Sequence, residues 1–212
     1  MSALQTLWRR VRHGQPVVVV SGLPRSGTSM AMKMLEAGGL SLVTDGIRTA
    51  DEDNPKGYYE LERVKNLNRD TDRAWLRDCR GKGIKVISYL LRSLPPANRY
   101  KVLFMNRDVL EVLASQQKML DRRGEVSETS DDRMVALYEK DLRDVRFMLT
   151  RRAQFDVLEV GYADVLKDPA PHARRIAEFV GLSLDAGKMA RVVDATLYRN
   201  RSADLSTSTP KG

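Results

Sequence analysis

The sequence predicts an α/β fold, in which a central parallel sheet is flanked by helices on both faces. Short β-branched runs alternate with longer segments of helical periodicity, and this alternation is typical of parallel strands joined by helices. The first strand, at 17–21, is continuously apolar, as expected for a strand buried on both faces. With 212 residues, 42% of them apolar, the chain has the length of a single α/β domain. We therefore expect one domain over 1–212, with a helical segment at 1–14 and a flexible tail at 202–212.

Helices and further strands follow the first strand in regular order. The predicted helices are one that carries Met30, Met32, Met34 and Leu35 and ends near Gly38, a charged helix at 61–80, a helix opened by Asp108, a long helix at 131–152, and two short helices at 170–180 and 185–193. The other predicted strands are 85–90, 101–105 and 155–160. The polar stretch from 44 to 57 is predicted to be a loop. No internal repeat occurs, so the motifs below should share one sheet.

The charge balance favours an anionic partner. Lys and Arg total 36 against 28 Asp and Glu, which gives a formal net charge of +8. The basic residues are scattered, and only 6% of residues are aromatic, so a platform for stacked bases is poorly supplied. Nucleic acid is therefore the lowest-ranked partner.

Cysteine content and hydropathy bear on the compartment. The single cysteine, Cys79, excludes an intrachain disulfide and a cysteine metal cluster, so a reducing compartment is expected. The aliphatic run near the start, Val17 to Val20, is far shorter than the roughly 20 residues of a membrane-spanning helix. We expect a cytoplasmic protein without a transmembrane segment.

A phosphate-binding motif lies between the first strand and the first helix. It reads Gly22-Leu23-Pro24-Arg25-Ser26-Gly27-Thr28-Ser29. In such a strand–turn–helix context, backbone N–H groups of the glycine turn and of the helix N-terminus converge on an anion. The segment therefore predicts a site for phosphate or sulfate.

The motif departs from the nucleoside-triphosphatase pattern in its cation. Thr28 occupies the position of the usual Lys, and Arg25 lies within the turn instead. No apolar strand ends clearly in a magnesium-binding Asp, although Asp108 is a possible exception. These differences weaken the case for ATP hydrolysis. A small-molecule or nucleoside kinase stays as an alternative, which magnesium dependence would distinguish.

This loop resembles the 5′-phosphosulfate loop of sulfotransferases that use 3′-phosphoadenosine-5′-phosphosulfate (PAPS), particularly the branch with Arg in place of Lys, which includes tyrosylprotein sulfotransferases. The resemblance implies a P-loop nucleoside-triphosphatase-like three-layer fold, PAPS as the cosubstrate and adenosine 3′,5′-bisphosphate as the product. It also implies nucleotide contacts from the loop residues Pro24, Arg25, Ser26, Gly27, Thr28 and Ser29.

Three later segments are similar to other nucleotide-binding elements of that family. Arg107 at a strand end and Ser115 eight residues later match the pair that binds the nucleotide 3′-phosphate. An Arg supplies a charge-assisted fork and a Ser a hydroxyl, which are suitable donors for a phosphate. Tyr162 matches a tyrosine near the adenine, and Arg199 or Arg201 matches a C-terminal basic segment that closes over the phosphate.

The resemblance also implies the chemistry, transfer of a sulfuryl group to a hydroxyl or amine acceptor. The protein must align donor and acceptor, stabilise charge on the leaving phosphate and remove the acceptor proton. Arg25 suits the charge role, and because the leaving group is already good, no metal site is predicted. The partners are thus a nucleotide cosubstrate and an acceptor whose identity the sequence leaves open.

Two carboxylates compete for the role of general base. The only histidines, His13 and His172, are poorly placed for it. Asp45 lies twenty residues after Arg25, similar to the spacing of the base Glu in the tyrosylprotein branch. Glu60 ends a segment, Asn54 to Glu60, that resembles one in many bacterial sulfotransferase-like sequences. The nearby carboxylates of Asp51, Glu52 and Asp53 are further candidates.

A noncatalytic nucleotide-binding or protein-interaction module is a third possibility. It would keep the phosphate loop without an acceptor site. Tight binding of adenosine 3′,5′-bisphosphate without turnover would indicate such a module.

Overall fold

The computed structural model describes residues 14–47, 59–125, 129–194 and 196. Four strands form one parallel sheet, and the spatial order is β2-β1-β3-β4. The strands are β1 (Val17–Gly22), β2 (Gly83–Lys85), β3 (Tyr100–Asn106) and β4 (Phe155–Gly161). The predicted α/β fold is therefore confirmed. The predicted segments at 1–14 and 202–212 lie outside the described residues, apart from Gly14.

Helices connect the strands in chain order. The α-helices are α1 (Thr28–Ala37), α2 (Glu62–Lys65), α3 (Val109–Arg123), α4 (Asp131–Arg151), α5 (Tyr162–Lys167), α6 (Pro169–Val180) and α7 (Ala186–Arg191), and two 3₁₀ helices cover Ala74–Cys79 and Ser88–Ser93. Within the part of the chain that is described, none of these helices is both long and apolar enough to cross a membrane.

The sheet divides the hydrophobic core into two layers. Alternate residues of a strand point to opposite faces. Val17 and Val19 accordingly pack with Phe104 and the 3₁₀ helices, whereas Val18 and Val20 pack with α1, α6 and α7. All six residues of β1 are buried, and the four valines among them agree with a strand covered on both faces.

The carboxyl ends of three strands lie at one level. In the pairing register, Gly22 at the end of β1 lies beside Met105, and Asn106 at the end of β3 lies beside Gly161. The segments that follow these strands, which begin at Leu23, Arg107 and Tyr162, therefore meet at one edge. Ligands of open α/β sheets bind at this edge.

An extended segment after α1 covers the outer side of β2. Leu42 forms an isolated parallel bridge with Gly83, and the Gly83 amide donates to the Ser41 carbonyl at 2.8 Å. The amide of Val43 donates back to the Gly83 carbonyl at 2.8 Å. The chain thus runs parallel to β2 and carries Asp45 to the carboxyl edge of the sheet.

The helix predicted to begin after Asp108 is confirmed. The Asp108 side chain accepts hydrogen bonds from the amides of Leu110 at 2.8 Å and Glu111 at 3.2 Å, as an N-cap does. At the other end, Gly124 adopts a left-handed conformation with φ of 65°. The predicted helices at 131–152, 170–180 and 185–193 also agree with the structure within a few residues.

The prediction of one helix over 61–80 is wrong. Helix α2 ends at Lys65, and the 3₁₀ helix begins at Ala74. Between them, the Asp72 carboxylate accepts a hydrogen bond from the Ala74 amide at 2.9 Å. Such a local side-chain bond competes with helix hydrogen bonding, which is why Asp is unfavourable inside helices. The apolar periodicity reflects burial of the short pieces, not a continuous helix.

The prediction of a strand over 85–90 is also wrong in extent. Strand β2 covers only Gly83–Lys85, and the Val86 amide makes a last bond to the Val20 carbonyl at 3.0 Å. Beyond that point β1 continues to Gly22 paired only with β3, and the chain after Val86 leaves the sheet. The chain continues as the 3₁₀ helix Ser88–Ser93, and Ser88 is tied to Asp141 of α4 by a hydrogen bond.

Candidate functional site

The loop after β1 has a backbone shape that depends on glycine. Gly22 has φ of 147° and Gly27 has φ of 95°, and Arg25 between them also has a positive φ of 66°. The loop is closed from inside by Ser26, whose hydroxyl donates to the Leu23 carbonyl at 2.7 Å. Since a left-handed residue other than glycine costs about 1–2 kcal/mol, the conformation of Arg25 must be held by its contacts.

The N-terminus of α1 opens onto this loop. Its N-cap residue is Gly27, and no side chain caps the helix. The first amides of a helix have no intrahelical partner and carry the positive end of the helix dipole. An anion in the loop would accept these hydrogen bonds, as the sequence predicted.

Tyr162 packs against Gly27. A Cβ atom on Gly27 would clash with Cδ2 of the Tyr162 ring, so only glycine fits. The Tyr162 side chain is buried, and this burial raises the pKa of its phenol. The ring therefore fixes the start of helix α1 from the side of β4.

Four predicted nucleotide-binding residues lie in contact at the loop. Arg25 Nε donates to Ser115 Oγ at 3.1 Å, although the two residues lie far apart in sequence. Arg107 Nη1 donates to the Arg25 carbonyl at 3.0 Å, and its guanidinium lies 4.7 Å from the centre of the Tyr162 ring. The geometry of an Arg over an aromatic face is that of a cation–π contact. Hydrogen bonds thus link two arginines and a hydroxyl to the loop that leads into α1.

A buried carboxylate accompanies Arg107. Arg107 Nε donates to Glu111 Oε2 at 3.0 Å, and the two side chains are only 7% and 2% exposed. Loss of one partner from a buried ion pair typically costs about 3–5 kcal/mol, because the other charge stays buried. The orientation of Arg107 is therefore strongly determined by the protein.

A cavity of about 290 Å³ adjoins these residues. Its lining includes Ser26, Arg107, Tyr162, Asn106, Leu142 and Arg146. Arg146 Nη2 donates to Asn106 Oδ1 at 2.8 Å, and its Nε lies 3.3 Å from Glu159 Oε1. The cavity is large enough to admit part of a nucleotide beside the loop.

Lys85 connects the loop to a candidate base. Its Nζ donates to Ser29 Oγ at 3.3 Å and lies 3.6 Å from Glu60 Oε1. A second lysine, Lys65, lies 3.8 Å from Glu60 Oε2. The Glu60 carboxylate is thus placed one side chain away from the start of α1.

Asp45 lies next to Glu60 but is engaged differently. Its carboxylate accepts hydrogen bonds from the amides of Glu62 and Ile47, and its own amide donates to the Glu60 carbonyl at 3.3 Å. These two amide donors, Glu62 first, lower the pKa of the Asp45 carboxyl below its ordinary value of 3.8. Such a carboxylate orders the turn before α2 and is a weak proton acceptor.

The structure thus brings most of the predicted residues together. Arg25, Ser26, Gly27, Thr28 and Ser29 form the loop and helix start, and Pro24 lies at its exposed tip. Arg199 and Arg201, and the carboxylates of Asp51, Glu52 and Asp53, lie outside the described residues.

Two residues of the site were missed from the sequence. Glu111 follows Arg107 by four positions, and a carboxylate at that spacing from an arginine was the available signal. Lys85 ends β2, and a lysine at the end of an apolar strand next to the phosphate loop was the signal there. Among the described residues, no group of three or more His, Cys, Asp or Glu side chains is arranged to hold a metal ion.

Comparison with known families decides the class of the protein. The family model of the sulfotransferase domain matches residues 15–211. The chain belongs to the sulfotransferase family. No curated protein matches it significantly in sequence.

Solved sulfotransferase structures share the fold at low sequence identity. The sulfotransferase STF1 from Mycobacterium tuberculosis H37Rv is 16% identical with a TM-score of 0.53, over 97% of this chain and 77% of that one. The sulfotransferase domain from the curacin biosynthetic pathway is 15% identical with a TM-score of 0.51, over 93% of this chain and 100% of that one. Mouse sulfotransferase SULT7A1, solved in complex with PAP, is 16% identical with a TM-score of 0.51, over 92% and 68%. The P-loop-like three-layer architecture is therefore confirmed.

Substitution of Gly27 by alanine should abolish anion binding at the loop. Both the positive φ and the contact with Tyr162 oppose a side chain there. Gly39→Ala is the matched control, because Gly39 has φ of 100° but nothing within 4 Å of its added Cβ. We expect each variant to lose about 1–2 kcal/mol of unfolding free energy from backbone strain, with a further loss for Gly27→Ala. Urea unfolding and an NMR titration with inorganic sulfate measure the two effects, and equal behaviour of the two variants would contradict the proposed role of Gly27.

Acidification should remove the contribution of Asp45 to stability. Since the folded-state pKa is lowered, this contribution is complete above the unfolded pKa and is lost as the pH falls through the folded pKa, below 3.8. The stability difference between wild type and Asp45→Asn should shrink over that range. Thermal unfolding at a series of acid pH values, with an NMR titration of the Asp45 carboxyl, tests this. A titration midpoint above 3.8 would rule out the donor geometry described here.

Proposed function

We propose that this protein transfers the sulfuryl group of PAPS to a hydroxyl or amine acceptor by in-line displacement. The observation that carries the proposal is the hydrogen-bonded linkage of Arg25, Arg107 and Ser115 at the loop that precedes the uncapped N-terminus of α1. Family membership supports sulfuryl transfer, and the PAP complex of mouse SULT7A1 supports the choice of nucleotide.

The loop suits the 5′-phosphosulfate of the donor. Amides at the start of α1 and the Arg25 guanidinium would stabilise the charge that develops on the leaving phosphate. Arg107 and Ser115 would hold the 3′-phosphate, since a guanidinium and a hydroxyl are both donors to phosphate oxygens. Tyr162 would lie beside the adenosine, and Arg199 or Arg201 would close over the phosphates.

We assign the general base to Glu60. During transfer, the acceptor oxygen or nitrogen forms a bond to sulfur, the bond from sulfur to the leaving phosphate oxygen breaks, and the acceptor proton passes to the base. Glu60 is linked through Lys85 to Ser29 of the loop, so it lies on the side of the donor. Asp45 is the weaker candidate because two backbone amides already occupy its carboxylate.

The kinase alternative shares the fold and the phosphate loop, but it gains no support from Asp108. Asp108 was the possible magnesium ligand, and its carboxylate is used as the N-cap of α3. We therefore propose chemistry without a metal, in a single domain over 1–212. A cytoplasmic location completes the proposal and rests on the lone cysteine, Cys79.

The nucleotide preference tests the proposal most directly. Wild type should bind adenosine 3′,5′-bisphosphate more tightly than ADP without magnesium, and Arg107→Ala should remove at least a tenfold part of that preference, about the value of one charge-assisted hydrogen bond. Isothermal titration calorimetry measures both affinities. Arg143→Ala, which removes a surface arginine of α4, should change neither. Equal affinities in wild type, or binding of ADP only with magnesium, would refute PAPS use.

The assignment of Glu60 as the base predicts that replacing Glu60 lowers the reaction rate much more than replacing its neighbour Glu62. Glu60→Gln should lower the rate of PAPS hydrolysis, in which water is the acceptor, by about 10²- to 10⁴-fold with little change in bisphosphate affinity. Glu62→Gln is the matched control, because Glu62 also pairs with Lys65, at 2.7 Å. Asp45→Asn should lower the rate far less than Glu60→Gln. Release of adenosine 3′,5′-bisphosphate measures the rate, and a larger loss in Asp45→Asn would transfer the role to Asp45. No turnover of PAPS by wild type, with water or a panel of hydroxyl and amine compounds, would favour a noncatalytic module.

A further inference from the structure

Helix α3 carries a buried carboxylate for which the proposed sulfuryl transfer has no direct use. Glu111 lies one turn after Arg107, and its side chain is 2% exposed. Buried carboxylates are costly unless they are paired, so a residue of this kind requires a reason. Its backbone is fixed as well, because the Glu111 amide donates to the N-cap carboxylate of Asp108 at 3.2 Å.

The contacts of Glu111 lead to the phosphate loop through Arg107. Glu111 accepts from Arg107 Nε, and Arg107 Nη1 in turn donates to the carbonyl of Arg25. Arg25 is the loop residue with the unfavourable positive φ, and its side chain bonds Ser115. Glu111 and Ser115 are four residues apart, so they lie on the same face of α3. One helix face therefore supports both arginines of the site.

An arginine without such support has many orientations. Its side chain has a large rotamer entropy, and a planar guanidinium binds a phosphate well only when its edge faces the phosphate oxygens. The Glu111 bond to Nε and the Tyr162 ring below the guanidinium together fix the plane of Arg107. Preorganisation of this kind raises affinity because less freedom is lost on binding.

We infer that Glu111 is a positioning residue, whose buried carboxylate orients the Arg107 guanidinium toward the 3′-phosphate of the nucleotide. This inference rests on the proposed function for the identity of the ligand. The orientation of Arg107 itself is measurable without a nucleotide, so the two ideas fail separately.

The test compares Glu111→Gln with Glu111→Met. Both variants remove the same negative charge and keep a side chain of similar size, but only glutamine keeps an acceptor for Arg107 Nε. The readout is the ratio of the dissociation constants of adenosine 5′-monophosphate and adenosine 3′,5′-bisphosphate, which isolates the 3′-phosphate. We expect the ratio in Glu111→Gln to equal or exceed the wild-type ratio. The ratio in Glu111→Met should be about tenfold lower than in Glu111→Gln. Equal ratios in the two variants would overturn the inference.

A second readout concerns Arg107 alone. The Nε–H signal of Arg107 can be assigned in an NMR spectrum of arginine side chains, because it is the signal that disappears in the Arg107→Lys variant. We expect this signal, protected from exchange with water, in wild type and Glu111→Gln, and its loss in Glu111→Met. A protected signal that persists in Glu111→Met would also refute the inference. If wild type shows no preference for the 3′-phosphate, PAPS use fails, and the Nε–H signal still decides the role of Glu111.

Folding and control variants complete the design. If Glu111→Met does not fold, Glu111→Asp replaces it, since aspartate keeps the charge but withdraws the acceptor by one methylene. The ratio and the signal should then fall below wild type, and unchanged values would refute positioning. Glu139→Met is the matched surface control, because Glu139 pairs with Arg143 at the same spacing on α4, at 3.7 Å, with both side chains more than half exposed. It should alter neither readout.

Discussion

The register between β1, β3 and β4 is the constraint on which the site depends. Each strand pairs in parallel with its neighbour, and the three end within one residue of the same level. The phosphate loop, Arg107 and Tyr162 follow those ends directly, so backbone hydrogen bonds in the sheet decide which side chains meet. A slip of one residue would turn every side chain of a strand to the opposite face. The buried cores on both faces of the sheet oppose such a slip.

The elements that were predictable from sequence are those whose local pattern and tertiary burial agree. The first four residues of β1 are buried valines, and Asp108 signals the start of α3 by its own capping bonds. The two failures have a common cause. Val64, Leu67 and Leu76 in the first segment and Val86 and Leu90 in the second are buried. The backbone conformation is set by Asp72 in the first segment and by the end of the pairing between β1 and β2 in the second. Periodicity reports burial more faithfully than it reports hydrogen bonding.

The residues of the site also differ in whether the sequence could predict their contacts. Arg107 and Ser115 lie on or next to one helix, so their spacing carried the information needed to bring them together. The partnership of Lys85 with Ser29 and Glu60 joins three separate segments, and no spacing in the sequence encodes it. Asp45 shows the converse, because a spacing that resembles a relative's base gave no sign that two backbone amides would occupy the carboxylate. Hydrogen-bond partners within a turn were the missing information.

The extended segment beside β2 joins the phosphate loop and α1 to the turn that contains Asp45 and Glu60. Helix α1 leaves the phosphate loop, and the bridge of Leu42 to Gly83 brings the chain back along the sheet to the same edge. From Gly27 to Asp45 the chain thus leaves the edge of the sheet as a helix and comes back to the same edge as an extended segment paired with β2. Both parts have a fixed length. An added residue near Gly39 would disturb the segment paired with β2 and move the turn in which the Asp45 amide donates to the Glu60 carbonyl. Under the proposed function, in which Glu60 takes the acceptor proton, a change of length at 38–43 would therefore alter the reaction rate although none of these residues belongs to the site.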